Sequence, residues 1–496
     1  MKVRLMYPDQ DFVVDDTRPV YTRDLEQDLG LDIVYHAAAQ GDSLVHAVIR
    51  QALLSPLKQV DHIRYRQEVL ADCLRAPDVI RELYRLTLET LETRRKNWLG
   101  VFSRSPSGVL RESVDLLKLL IAALASLQKL ADTQGSHFES QGLTAFWTMI
   151  QNELDDGYFA RIQEQFNYLS RSEIIIRAEL GRDLKGTQYT LVRNTAKNGG
   201  MLERLRSLRV PSYTLHVDPR DDAGNRALDY LKDAALNPTA NALAQSAEHI
   251  LSFFQQLKIE LAFFIGGLNL HDQITVKGEP WCIPQPFPLG HKVRHCRGLY
   301  DLALSLLKED HVVGNDLDAD NMDLIIVTGA NQGGKTTFLR SMGLAQLMMQ
   351  SGLFVPAQMF SANISTGIFT HFRREEDADM QSGKLDEELQ RLSTMVDYIQ
   401  PHSLVLFNES FASTNEREGA EILRQVTEAL LECQVQVVSV SHLYAYTQTF
   451  YARNLSNAIF LRAERDRTFK LKPGQPLATS FGRDLYHRMF PPSQEG

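Results

Sequence analysis

The run Leu324-Ile325-Ile326-Val327 leads into Gly329-Ala330-Asn331-Gln332-Gly333-Gly334-Lys335-Thr336, and this junction constrains the fold more than any other stretch. Four aliphatic residues in a row suit a strand covered on both faces. The glycines after it let the backbone turn so that several N–H groups face one anion. A helix beginning near Thr337 adds its positive end. The G-x4-G-K-[ST] spacing carries Lys335 to the β- and γ-phosphates of a nucleotide and gives the Thr336 hydroxyl to Mg²⁺. The unit predicts an α/β fold of the P-loop kind.

A second strand, Val405-Leu406-Phe407, ends in the polar pair Asn408-Glu409. In P-loop ATPases the residue closing this strand helps hold Mg²⁺ and a following Glu activates water. Glu409 is therefore the expected general base, and Thr336, Asn408 and Glu409 the expected metal-side residues. Asn408 stands where an Asp is expected. An amide can hydrogen-bond a metal-bound water but brings no charge, so slow turnover is expected. A third strand, Val435 to Val440, leads into Ser441-His442, and His442 is placed to sense a γ-phosphate.

These strands alternate with helical stretches from about Leu299 onward, as a mostly parallel, covered sheet requires. Before them the pattern is helical. Val45, Ile49 and Leu53 share a stripe that breaks at Ser55-Pro56. Val114, Leu117, Ile121 and Leu124 describe a core helix, and Asp229 to Leu268 reads as helix interrupted near Asn237-Pro238. Ile174-Ile175-Ile176 and Tyr189 to Val192 flank a glycine-bearing turn, a hairpin near residues 172–195. Pro280, Pro284, Pro286 and Pro288 crowd one stretch. The expected division is thus a mainly helical region over 1–285 and a nucleotide-binding domain over 286–496.

The C-terminal motifs together resemble the ATPase domain of the MutS family. TGANQGGKTT at Thr328–Thr337 is followed by Gly352-Leu353-Phe354-Val355-Pro356-Ala357, similar to the family's G-x-x-V-P-A stretch. Glu409 through Asn415 looks like its loop after the strand-end Glu. His442 falls at its Thr-His switch, with Ser441 in place of the Thr, and Lys472-Pro473-Gly474 with Phe481-Gly482 resembles its closing turn. Leu54-Ser55-Pro56-Leu57 and Ile63-Arg64-Tyr65-Arg66-Gln67 are similar to its lever-and-core region. The resemblance implies an ABC-type ATPase using ATP and Mg²⁺. It implies Val312, Val313 and Asn315 beside adenine, and a homodimer with composite ATP sites.

Departures from the family pattern set further expectations. The sole F-x-E triplet is Phe407-Asn408-Glu409, so the N-terminal mismatch-reading domain with its Phe-x-Glu wedge is expected to be missing. The serine signature that acts across the dimer falls near Ser382. Arg182, Lys185, Arg193, Lys197, Arg204, Arg206 and Arg209 are the DNA-contact candidates, with Arg94-Arg95-Lys96 beside Trp98 as a further cluster.

The net charge of -9 excludes a broadly basic coat but not a local basic groove. Four cysteines without a CxxC pair give no disulfide framework, and Met1 to Gln10 has no apolar signal core. A cytoplasmic protein without a membrane anchor is expected. The resemblance favours ATP-dependent binding of branched or altered DNA over single mismatches. The acidic charge keeps open an ATP-driven switch that binds a protein partner instead.

Overall fold

The computed structural model describes residues 1–15, 19–97, 105–169, 175–182, 186–192, 217–374 and 383–478. Packing divides the chain into two compact units. One comprises Met1–Val3, Arg81–Glu139 and Thr144–Lys258, and the other Arg4–Ile80, Ser140–Leu143 and the chain from Ile259 on.

In the first unit, helix Pro106–Gln134 buries Leu116, Leu117, Leu120, Leu124 and Leu127. The buried rings of Phe146 and Trp147 meet edge to face on helix Gln141–Glu153. Strands β1 (Ile175–Leu180) and β2 (Gly186–Val192) form an antiparallel hairpin within the expected span. Helix Asp222–Val276, whose residues 222–258 belong to this unit and 259–276 to the other, runs through Pro238 without a break, where an interruption near Asn237-Pro238 was expected. A mid-helix proline removes one hydrogen bond and costs about 3 kcal/mol. Burial of Ala235, Leu236 and Ala240 around it offsets that cost. Among the described residues this helix alone has the length and apolarity to cross a membrane, and 72% of its most apolar window is buried within the protein.

The second unit holds two sheets. Strands β3 (Gln285–Phe287), β4 (Arg294–Leu299), β5 (Asn315–Asp318) and β7 (Met359–Asn363) form one, in the order β3-β7-β4-β5. The other is ordered β12-β11-β6-β10-β9-β8, from β6 (Leu324–Gly329), β8 (Ile368–Phe372), β9 (Leu404–Asn408), β10 (Gln436–Val440), β11 (Ala458–Ala463) and β12 (Leu471–Pro473). Five of its strands run parallel, and β12 pairs antiparallel at the edge. Every residue of β6, β8, β9 and β10 is buried, as in a parallel sheet covered on both faces.

The 285/286 division expected from the prolines is not where packing separates the chain. Residues 4–80 and 259–285 cluster with the nucleotide-binding half. Helix Lys335–Ser351 is packed so closely that a Cβ on Gly343 would lie 2.6 Å from Leu406 of β9 and 2.8 Å from Leu29. Arg66, 1% exposed, donates to the carbonyls of Met6 at 3.2 Å and Ser351 at 2.9 Å between the rings of Tyr7 and Phe263. Gln67 donates to Pro284 O at 3.0 Å. Within the proline stretch, Pro286 lies in β3, an edge strand, where a residue without an N–H is tolerated.

Candidate functional site

The glycine loop joins β6 to helix Lys335–Ser351, which starts two residues before the expected Thr337. Its conformation demands glycine. Gly329 has φ 107°, and a Cβ there would stand 2.2 Å from Ala463 O on neighbouring β11. Gly334, at φ 85°, is left-handed and opens the helix. Lys335 is folded over the loop, its Nζ donating to Gly329 O at 3.1 Å and Ala330 O at 2.9 Å. Burial pulls the Lys335 ammonium below its ordinary pKa, opposed by the Glu409 carboxylate.

Parallel register sets β9 and β10 beside β6, so their C-terminal ends open on the same loop. The Thr336 hydroxyl donates to Asn408 Oδ1 at 3.0 Å. Glu409 Oε1 lies 2.8 Å from His442 Nε2. That hydrogen bond holds the Glu409 carboxyl below its ordinary pKa against the opposing effect of burial. Glu409 also takes a left-handed backbone, φ 54°, a conformation a non-glycine residue holds only under constraint. Its N–H donates to Val440 O at 2.9 Å, so the neighbouring strand supplies that constraint.

Asn331, Gln332, Gly333, Gly334, Lys335, Thr336, Thr337, Glu409 and His442 line one cavity of about 470 Å³. Arg373, just past β8, lines it too, and its N–H donates to Asn408 O at 2.9 Å. The sequence reading missed Arg373, which sits in an ordinary-looking basic pair with Arg374.

A second cavity of about 350 Å³ shares Gln332, Gly334 and Thr337 with the first and continues toward Val312, Val313 and Asn315. Leu304, Lys308, His311 and Phe469 complete its walls. Asn315 has a structural task here. It donates to Phe469 O at 3.0 Å and accepts from Leu471 N at 2.8 Å, so it fixes the aromatic wall. Phe469 and Arg467, whose Nε donates to Asn331 O at 3.1 Å, bring the β11–β12 connection over the loop, and neither carried a sequence signal.

Arg182 is exposed on the hairpin, while Lys185, Arg193, Lys197, Arg204, Arg206, Arg209, Ser382, Trp98 and Phe481-Gly482 lie outside the described residues. So do the side chains of Arg94, Arg95 and Lys96.

Comparison with known proteins matches both halves to models of one family. Residues 58–277 match the MutS2 N-terminal domain, and residues 325–473 match MutS domain V. The chain belongs to the MutS family. It is 32% identical over 308 residues to "Endonuclease MutS2" of Lactiplantibacillus plantarum, covering 60% of this chain and 36% of the relative. It is 34% identical over 155 residues to "Endonuclease MutS2" of Lacticaseibacillus casei, covering 30% and 20%. A third relative, "MutS protein homolog 4" of Homo sapiens, is 28% identical over 146 residues, covering 29% and 16%. The matches thus span about a third or less of the length of these curated relatives. The match to MutS domain V contains β6 from Ile325 on, the glycine loop, Asn408, Glu409 and His442, so the residues converging on the first cavity lie inside the family's ATPase domain.

Proposed function

We propose that the chain is a Mg²⁺-dependent ATPase of the MutS type, with an ABC-type P-loop core, that uses ATP hydrolysis to close as a homodimer around DNA. The carrying observation is the convergence of Lys335, Thr336, Arg373, Glu409 and His442 on one cavity that continues into a partly apolar cleft. The first cavity has the charge for a triphosphate, and the second has the walls for a base between Val312, Val313 and Phe469.

Each residue then has a task. Backbone N–H groups between Gly329 and Thr336 preorganise positive potential before charge develops on the γ-phosphate, save those of Ala330 and Gly333, which donate to Ala463 O and Ala330 O. Lys335 exchanges its two carbonyl partners for phosphate oxygens. Glu409, kept ionised by its His442 bond, accepts the proton of the attacking water through a carboxylate that still has a second oxygen to offer. His442 reports the γ-phosphate to Glu409 through the same bond. Thr336 Oγ1 and Asn408 Oδ1, two hard oxygens 3.0 Å apart, fit the side of a Mg²⁺ site. When bound, the ion neutralises charge on the β- and γ-phosphates.

DNA binding is supported by the family and by relatives named as an endonuclease and a MutS homologue. The helical part would serve as the lever, and branched or altered DNA is the preferred ligand. The test is the Mg²⁺-ATPase rate with duplex, mismatched and branched DNA at low and high salt, with Glu409→Gln as control. Stimulation by one DNA form that fades with salt supports the reading. Hydrolysis that Glu409→Gln abolishes but no DNA alters overturns DNA coupling. The net charge of -9 then favours a protein partner.

A further inference from the structure

Helices Leu31–Ala39 and Ser43–Leu54 form a tight pair joined by Gln40 to Asp42. Asp32 and His36 are four residues apart, so they share one face of the first helix. His46, on the second helix, faces them. The ligand-capable atoms of these three residues all lie within 4.8 Å of one another, and the two imidazole centroids are 5.1 Å apart. None of these residues takes part in the nucleotide site.

We propose that Asp32, His36 and His46 bind a divalent transition ion of the Zn²⁺ type. Two imidazoles and one carboxylate are a borderline donor set that favours Zn²⁺, Co²⁺ or Ni²⁺ over Mg²⁺ or Ca²⁺. Tetrahedral ligands at about 2.0–2.1 Å from zinc stand about 3.3 Å from each other. The donors, all within 4.8 Å of one another, stand at most about 1.5 Å from that spacing. Asp32 and His36 are exposed, which leaves room for a water as fourth ligand.

The backbone beneath the site is held in place. Tyr35, fully buried, packs edge-on against the His46 ring at 5.6 Å. Asn269 and Gln273 donate to the carbonyls of Ala38 and Ala37, each at 2.8 Å, and so anchor the end of the first helix. Asp42 caps the second helix by accepting from Leu44 N at 2.9 Å and Val45 N at 3.2 Å. The nearest cation on the second helix, Arg50, is paired with Glu26 at 2.5 Å, which lowers its repulsion toward an ion. A bound metal would clip the two helices together.

The test uses the full chain without a histidine tag, stripped with chelator and dialysed against Zn²⁺. One ion per chain is expected, with a rise in melting temperature. Co²⁺ in its place should give the visible absorption of a low-coordinate site. His36→Ala and His46→Ala should each weaken Zn²⁺ by about 100-fold or more, and Asp32→Asn by about 10-fold. A cooperative thermal melt of each Zn²⁺-free variant confirms that the chain is folded. No retained Zn²⁺ overturns the proposal. Equal retention by the folded double variant His36→Ala/His46→Ala overturns it as well.

Discussion

Arg373 and Arg374 are neighbours in sequence and serve opposite ends. Arg373 lines one cavity with Lys335, Glu409 and His442. Arg374 turns to the N-terminal helix Thr22–Leu29, pairing with Asp24 at 2.5 Å and approaching Asp28 at 3.8 Å. Arg391 adds contacts to the same two carboxylates at 3.2 and 3.6 Å. The first cluster keeps charge available to a ligand. In the second, protein charges neutralise one another and lock a helix to the strand that bears the site. Similar residue types therefore differ in function by what they face, and the two clusters should fail in different ways when cut.

The largest contrast is between Lys335→Ala and Arg374→Ala. Losing Lys335 should lower ATP turnover by about 10²–10³-fold, the scale for removing one preorganised charge from a transition state. Its thermal melting should change little, because a charge that burial disfavours is being removed. Arg374→Ala should instead cost about 1–3 kcal/mol of stability by stripping a partner from two carboxylates. Turnover per folded molecule should stay within a few-fold of the parent. Steady-state ATPase assays beside denaturant melts would show whether the two losses separate. If both variants lose activity alike, the lock is part of the catalytic machinery. A smaller loss, about 10-fold in kcat with unchanged melting, is expected of Arg373→Ala. An unaltered kcat would remove Arg373 from the phosphate site.

What the sequence disclosed follows the same division. The glycine loop, Asn408-Glu409 and His442 were legible because each sits at the end of an apolar strand, and strand ends in a parallel sheet share one edge. Arg373 was not, since a basic pair has no periodicity to say which member faces inward. Phe469 was hidden for another reason. It lies far beyond Gly334 in the chain and reaches the cleft only because β12 folds back on β11. The proline cluster is ambiguous because proline reports local backbone freedom, and an edge strand satisfies it as well as a linker does. The docking of residues 4–80 on the nucleotide-binding half rests on Arg66, Gln67 and Leu29, whose helix stripes identify a buried face but not its partner.

The smallest effect concerns how the lock responds to pH. Burial lifts the Asp28 carboxyl to about 6, against the pull of the Thr370 hydroxyl and of Arg391 and Arg374, with Asp24 adding repulsion. In the unfolded chain it titrates near about 3.9. Between these values the folded state binds more protons than the unfolded one. The contribution of this group to stability is therefore fully present below about pH 4 and is lost as pH rises through about 6. The difference between the folded and unfolded titration corresponds to roughly 3 kcal/mol at most. Asp28→Asn cannot titrate, so its stability relative to the parent should improve between about pH 4.5 and 7.5, by about 1–2 kcal/mol in urea melts. A difference that is flat with pH, or that moves against Asn, would mean the two arginines outweigh burial and hold the carboxylate ionised throughout. The contact would then be a plain ion-pair lock, and the contrast with the phosphate cavity would reduce to which way each cluster faces.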